Sequence, residues 1–174
     1  MSRAIVLALA AVGCATELGP TAPWIDVADL GGPLTPSWAS APGPTPASAG
    51  RLRVASYNVE KGADVDGLAR AIRANPALAR ADVLLLQELE DHPGEGGARA
   101  QRLAAALAMG YVYAPERIEG DGTHGPAILT RWPLAQVQTM ALPYADLAIS
   151  RAPRIALAAD AGRRLPGPLG HRGR

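Results

Sequence analysis

The sequence predicts an α/β fold in which two helices alternate with strands and further strands follow. Three observations predict it. Residues 64–75 carry apolar side chains at helical spacing, residues 83–86 form the continuous apolar run of a strand buried on both faces, and strand-like patterns recur between residues 111 and 160. The order β-α-β-α-β followed by strands indicates an α/β sandwich, with parallel pairing early and antiparallel pairing later.

The first element along the chain is a short apolar segment that ends in a cysteine. Arg3 supplies a positive charge, Ala4 to Val12 are apolar, and small residues come directly before Cys14. This arrangement resembles a bacterial lipoprotein signal, in which residues 1–14 would be the signal with its lipobox and Cys14 would be acylated. A plain secretory signal with an incidental cysteine and a cytoplasmic helix are the alternatives. We expect an exported lipoprotein of the cell envelope, held at the outer membrane by its lipid anchor, or a secreted protein.

Residues 15–50 have the composition of a linker. Between residues 31 and 50, nine of the twenty residues are Gly or Pro and none is charged. Such a segment buries too little apolar surface to offset its ordering entropy, and its spaced prolines favour extended conformations. Trp24 and Trp38 are therefore expected to be solvent-exposed, and the folded domain is expected to span residues 51–161.

The folded part begins with a strand over residues 51–59, RLRVASYNV. A helix follows, with Asp64 as its N-cap and Asn75-Pro76 at its end. The buried strand lies within ADVLLLQELE, and a second helix is expected over residues 98–109. The remaining strands are predicted at YVYAPE (111–116), GPAILT (125–130), residues 136–142 and residues 154–160.

Two polar residues follow the apolar parts of the first two long strands. Asn58 ends the first strand and Glu88 ends the second, so parallel neighbours would bring both side chains to one edge of the sheet. A carboxylate at the end of an apolar run needs a positive partner, and Mg²⁺ binds one or two carboxylates while it keeps several waters. The alternative interpretation is a pair of solvated side chains in loops.

Composition excludes several classes of protein. The net charge of +1 gives no bulk attraction to nucleic acid, and a single cysteine excludes both an internal disulfide framework and a cysteine-based zinc site. No apolar run reaches the roughly 18 residues that a membrane-spanning helix needs.

Three blocks together resemble one family. They are Val54-Ala55-Ser56-Tyr57-Asn58-Val59, Asp82-Val83-Leu84-Leu85-Leu86-Gln87-Glu88 and Gly125-Pro126-Ala127-Ile128-Leu129-Thr130-Arg131-Trp132-Pro133-Leu134. Their order and spacing are similar to those of the endonuclease/exonuclease/phosphatase superfamily over residues 51–160. The resemblance implies the N-terminal half of a two-sheet, deoxyribonuclease I-like α/β sandwich and hydrolysis of phosphodiesters or phosphomonoesters with Mg²⁺ or Mn²⁺.

The resemblance also assigns roles to residues. Asn58 corresponds to the family's positioner of phosphate or metal-bound water and is a candidate catalytic residue and metal ligand, and Glu88 corresponds to its Mg²⁺ ligand. His124 precedes the third block, so it either faces the substrate as a catalytic residue or is a loop histidine at the start of the strand. The expected substrates are phosphate esters of nucleic acid, a lipid headgroup or an inositol phosphate, and no protein partner is inferred.

The family's later blocks are missing from this sequence. There is no Gly-Asp-x-Asn block and no Ser-Asp-His block, and residues 162–174 are expected to be a disordered basic tail. We therefore expect an incomplete hydrolase with little or no activity. The alternative is a surface-anchored lipoprotein with a binding or structural role and no catalysis.

Overall fold

The computed structural model describes residues 6–10, 24–25, 35–42, 52–142, 144–145 and 154–161. These residues form eleven strands and three helices. The strands are β1 (Val6–Ala10), β2 (Trp24–Ile25), β3 (Ser37–Ala39), β4 (Val54–Lys61), β5 (Val83–Asp91), β6 (Gly110–Tyr113), β7 (Arg117–Glu119), β8 (Gly122–Thr130), β9 (Leu134–Leu142), β10 (Tyr144–Ala145) and β11 (Arg154–Ala161). The helices are α1 (Val65–Ala74), α2 (Pro76–Ala79) and α3 (Arg99–Leu107).

A mixed six-stranded sheet forms the centre of the molecule. Its strand order is β3-β6-β8-β5-β4, and β7 pairs with β8 outside this path. Strands β4 and β5 are parallel, whereas β8 runs antiparallel to β5, β6 and β7. This topology confirms the predicted change from parallel pairing early in the chain to antiparallel pairing later. A second sheet has the order β1-β11-β9, and β10 pairs with β2.

Two apolar clusters hold three layers together. On one face of the six-stranded sheet, α1 and α3 bury Ile72 and Leu103 against strand residues that include Leu86. On the other face, Ile128 packs against Leu157 of the second sheet. A sheet covered by helices on one face and by a second sheet on the other confirms the predicted α/β sandwich.

Local sequence explains where the first helices begin. The Asp64 side chain accepts a hydrogen bond from the backbone N–H of Gly67 at 2.8 Å, as expected of an N-cap. Asn75 ends α1, and its side chain caps α2 by accepting hydrogen bonds from the N–H groups of Ala77 and Leu78. The predicted helix over residues 64–75 is thus confirmed and is followed by a short second helix.

The structure contains strands in segments for which the composition predicts a linker or a signal. Ser37–Ala39 lies within the expected linker but pairs antiparallel with β6, while Trp38 is exposed as expected. Residues 6–10, expected in the apolar part of a signal, pair with β11. Cys14 and the expected basic tail, residues 162–174, lie outside the described residues. None of the described helices is both long and apolar enough to cross a membrane.

Candidate active site

The three side chains singled out in the sequence line one pocket. Asn58, Glu88 and His124 contribute to a cavity of about 510 Å³ beside the C-terminal parts of β4 and β5. In the parallel pairing of these strands, Asn58 lies opposite Gln87, so Glu88 is the next residue along. The predicted proximity of Asn58 and Glu88 at one edge of the sheet follows directly from this register.

Asn58 is held by a hydrogen bond to the turn that follows it. Its Oδ1 accepts from the backbone N–H of Glu60 at 2.9 Å. Glu60 and Lys61 then both have positive φ, 43° and 74°, and the pairing with β5 is irregular between Asn58 and Lys61. Because this N–H uses one lone pair of Oδ1, the amide NH₂ and the second lone pair of Oδ1 are the groups of Asn58 that can contact a ligand.

Glu88 lies at a bulge within β5, not at the strand end that the sequence predicts. Its φ is +59°, in the left-handed region that a non-glycine residue seldom adopts, and the register with β8 shifts between Leu86 and Leu89. The bulge interrupts a buried strand and leaves the Glu88 side chain exposed to the pocket. Backbone strain of this kind is concentrated at functional sites.

His124 belongs to strand β8, so the expectation of a loop histidine is wrong. The residue is buried, with a side chain 9% exposed, and it pairs in register with Glu90 of β5 and with Arg117 of β7. Its Nδ1 lies 3.3 Å from Oε1 of Glu116 without meeting the geometry of a hydrogen bond. A strand position between two neighbours fixes the imidazole more firmly than a loop would.

Glu116 is a site residue that the sequence analysis did not identify. Its side chain is only 2% exposed, and its Oε1 lies 2.9 Å from Nη1 of Arg117 and 3.3 Å from Nη1 of Arg154. Arg154 begins β11 of the second sheet, so this contact joins the two sheets at the pocket. The partners lie up to 38 residues away in the chain, and no local motif announces them.

Glu90 is an acidic residue that is buried within β5 beside the pocket. Its carboxylate lies 3.4 Å from Nζ of Lys61 and 3.0 Å from Nε2 of His92. Burial alone would raise the pKa of Glu90, but the hydrogen bonds from His92 and Lys61 outweigh it and lower that pKa below its ordinary value. Glu90 therefore stays ionised beside the pocket.

His92 bridges two carboxylates beside this part of the pocket. Its Nε2 faces Glu90 and its Nδ1 lies 2.7 Å from Oδ1 of Asp121. The hydrogen bonds to Glu90 and then to Asp121 raise the pKa of His92 above its ordinary value. The bridge ties the end of β5 to the turn between β7 and β8.

The residues of the pocket suit a hard divalent cation with few protein ligands. Within the described ranges, no three His, Cys, Asp or Glu side chains lie together as a metal cluster. The exposed Glu88 carboxylate is an oxygen donor, and Mg²⁺ often uses one or two such carboxylates and completes its shell with water. Five acidic residues against three basic ones among the lining side chains make the pocket a cation-attracting surface, namely Glu60, Glu88, Glu90, Glu116 and Glu119 against Lys61, Arg117 and Arg154.

Comparison with models of known protein families gives a match. The model of the Endonuclease/Exonuclease/phosphatase family matches residues 55–169, which is more than half of the 174 residues. No curated protein matches the chain, and no solved structure matches it. The matched range contains every pocket residue described above.

Proposed function

The chain belongs to the Endonuclease/Exonuclease/phosphatase family, and on that premise we propose that it is a metal-dependent phosphoester hydrolase with its active site in the pocket of Asn58, Glu88 and His124. The observation that carries the proposal is the juxtaposition of Asn58 and Glu88 on adjacent parallel strands, with Glu88 lifted out of a buried strand by a bulge. A solvated pair of loop residues would need neither the bulge nor the left-handed backbone.

Each of the three side chains has a distinct role in this proposal. Glu88 would bind Mg²⁺ or Mn²⁺, and the bound cation would supply Lewis-acid polarisation of a phosphoryl oxygen. Asn58 would donate from its amide NH₂ to a non-bridging phosphate oxygen, because its Oδ1 accepts from Glu60. His124 would accept a proton at the pocket.

The substrate class follows from the same site. A phosphate ester combines a negative group that a bound cation attracts with oxygens that the Asn58 amide can bind. We propose a phosphate ester of nucleic acid, a lipid headgroup or an inositol phosphate. Because the carboxylate–histidine blocks that the family supplies later are missing from these 174 residues, we expect slow turnover.

Metal binding can be tested without turnover. Mg²⁺ should raise the Tm of the purified chain, because a ligand that binds only the folded state stabilises it, by about 2.7 kcal/mol at one hundred times the Kd. Glu88→Gln should abolish the shift. Glu119→Gln is the matched control, since Glu119 lines the same pocket but pairs with Arg117 at 3.0 Å, and it should keep the shift.

Turnover is measured on bis-p-nitrophenyl phosphate with Mg²⁺ present and after chelation. Slow hydrolysis that disappears with Glu88→Gln and survives Glu119→Gln supports the proposal. Cooperative unfolding with neither a Mg²⁺ shift nor turnover would refute it and favour a non-catalytic binding lipoprotein.

Location at a membrane is a separate proposal. We propose that the chain is exported and acylated at Cys14, because an apolar run and small residues precede this cysteine. Incorporation of labelled palmitate into the wild type but not into Cys14→Ser would support it. Incorporation of labelled palmitate into the Cys14→Ser variant would contradict it.

A further inference from the structure

A buried carboxylate lies beside His124 in the wall of the pocket. We propose that Glu116 is a positioning residue, which holds the His124 imidazole with its hydrogen on Nδ1 and presents Nε2 to the pocket. This inference rests on the proposed function for its purpose, since it concerns the proton acceptor of the same site. Its evidence is the geometry of Glu116, His124, Arg117 and Arg154.

Backbone contacts between neighbouring strands place Glu116 next to His124. The N–H of Glu116 donates to the carbonyl oxygen of His124 at 2.9 Å. The next residue, Arg117, pairs in register with His124 across β7 and β8. The distance of 3.3 Å between Nδ1 of His124 and Oε1 of Glu116 is therefore set by the sheet and not by a chance meeting of mobile side chains.

The Glu116 carboxylate is held in place by two guanidinium groups. Nη1 of Arg117 and Nη1 of Arg154 both donate to Oε1 of Glu116, at 2.9 and 3.3 Å. Arg117 is itself held from its other side, where its Nε donates to Glu119 at 3.0 Å. The buried Glu116 carboxyl group therefore has two cationic partners that offset the cost of burying it.

Burial of Nδ1 decides which tautomer of His124 fits. Nδ1 of His124 and Oε2 of Glu116 are the buried side-chain polar atoms for which the described residues provide no hydrogen-bond partner. A neutral imidazole carries either a hydrogen or a lone pair on Nδ1, and a lone pair that faces a buried carboxylate is repelled. With the hydrogen on Nδ1, a small rotation of the ring completes a charge-assisted hydrogen bond to Glu116.

This tautomer determines what His124 offers to the pocket. When Nδ1 carries the hydrogen, Nε2 has a free lone pair and can accept a proton from water or from a hydroxyl group. The opposite tautomer would present an N–H donor and could not act as a base. A carboxylate that selects the tautomer of a histidine and orients its ring is a recurring arrangement in hydrolases.

The direct test is the side-chain ¹⁵N spectrum of His124, followed as the pH is raised until the ring is neutral. The chain has three histidines, and His124→Asn identifies the relevant signals. We expect the wild type to show a protonated Nδ1 and an unprotonated Nε2. The reverse assignment in the wild type overturns the inference, and this measurement does not depend on any variant folding or on any turnover.

Variants then test whether the Glu116 carboxylate itself determines the tautomer of His124. Glu116→Gln keeps an acceptor and should preserve the Nδ1–H form, whereas Glu116→Met has a similar length without an acceptor and should move the population towards the Nε2–H form. Glu119→Gln is the matched control, because Glu119 touches Arg117 but not His124, and its spectrum should be that of the wild type. An unchanged His124 spectrum in folded Glu116→Met overturns the inference.

Kinetics distinguish this inference from the proposed function. Where turnover is measurable, Glu116→Met should lower kcat tenfold or more with KM unchanged, and Glu116→Gln should recover part of the loss. An Nδ1–H form in a chain with neither a Mg²⁺ shift nor turnover would refute the hydrolase and leave the Glu116–His124 contact established. An Nε2–H form in an active chain would refute the role of Glu116 and leave the hydrolase intact.

Discussion

Nε2 of His92 lies 3.0 Å from Oε2 of Glu90, a carboxylate whose side chain is only 7% exposed. The other ring nitrogen faces Asp121, so the imidazole is shared between an acidic group of β5 and one of the turn between β7 and β8. The contact fills space between the end of β5 and the turn before β8. It makes the stability of this region dependent on pH.

The pKa of His92 is raised above 6.5, so its protonated form is favoured in the folded state. Below pH 6.5 the ring is protonated in both states and its full contribution is present, and the contribution is lost as the pH rises through the raised pKa. We expect the free energy of unfolding, measured by urea titration, to fall as the pH rises above about 6.5. His92→Asn should remove this part of the fall, and equal pH dependence in both proteins would contradict the prediction.

The carboxyl groups of Glu90 and Asp121, which contact His92, affect the stability of the fold at acidic pH. The pKa values of Glu90 and Asp121 lie below 4.5 and 3.8, their ordinary values. Their contribution is present above those values and is lost as the pH falls through the lowered ones. Glu90→Gln should therefore weaken the acid dependence of unfolding, while the exposed Glu60→Gln serves as a control that should leave it unchanged.

The left-handed backbone of Glu88 predicts that glycine is preferred there for stability. Glu88→Ala and Glu88→Gly both remove the carboxylate, so their difference isolates the backbone. An L-residue with this backbone costs about 1–2 kcal/mol relative to glycine, whereas glycine loses more conformational entropy on folding, which costs about 0.5–1 kcal/mol. The Gly variant should therefore be more stable than the Ala variant by about 1 kcal/mol. At Gln138, an exposed position of β9, the Ala variant should be the more stable one, and the same order at both sites would contradict the prediction.

Substitutions of Asn58 separate its structural role from its proposed role in turnover. Asn58→Asp keeps an oxygen that can accept from the N–H of Glu60 but replaces the amide NH₂ with a second acceptor. We expect its Tm to stay close to that of the wild type while turnover of a phosphodiester falls at least tenfold. Asn58→Ala should lose both, with about 1 kcal/mol less stability, and full turnover by Asn58→Asp would contradict the assigned role.

Arg99 connects α3 to the turn beside the pocket. Its Nε and Nη2 donate to Glu95 at 2.7 and 2.5 Å, and Nη1 donates to the carbonyl oxygen of Lys61 at 2.8 Å. Lysine cannot reproduce this fork, so Arg99→Lys should lower the free energy of unfolding by about 1–2 kcal/mol. Arg102→Lys on the same helix should cost less than about 0.5 kcal/mol, because Arg102 is more exposed, and equal losses would contradict the prediction.

The sequence predicts the long elements of this fold because their patterns are local. The buried run from Val83 to Leu86 and the helical face of Val65, Ala69 and Ile72 are both visible in a window of a few residues, and both are confirmed. Ser37–Ala39 forms a strand only because β6 offers it a partner, and its own Pro/Gly-rich surroundings predict a linker. Short strands of this kind depend on tertiary contacts that no local pattern encodes.

The site divides in the same way. Asn58 and Glu88 come directly after the apolar parts of β4 and β5, so their shared place at one edge of the sheet could be predicted, whereas the bulge at Glu88 could not. Glu116 is identified only by contacts with His124 and Arg154, which approach it across the sheet and between sheets. Its proline and arginine neighbours resemble those of an ordinary turn, and burial is the property that distinguishes it.

The strand order gives the two walls of the pocket different dynamics. Strand β4, which carries Asn58, is an end strand of the six-stranded sheet in the described part of the chain, whereas β8, which carries His124, pairs on both sides. Amide hydrogens on the outer side of β4 would exchange with solvent quickly, and those of β8 would exchange only on deeper opening. The wall formed by β4 can therefore adjust to the shape of a ligand, while the wall formed by β8 stays rigid.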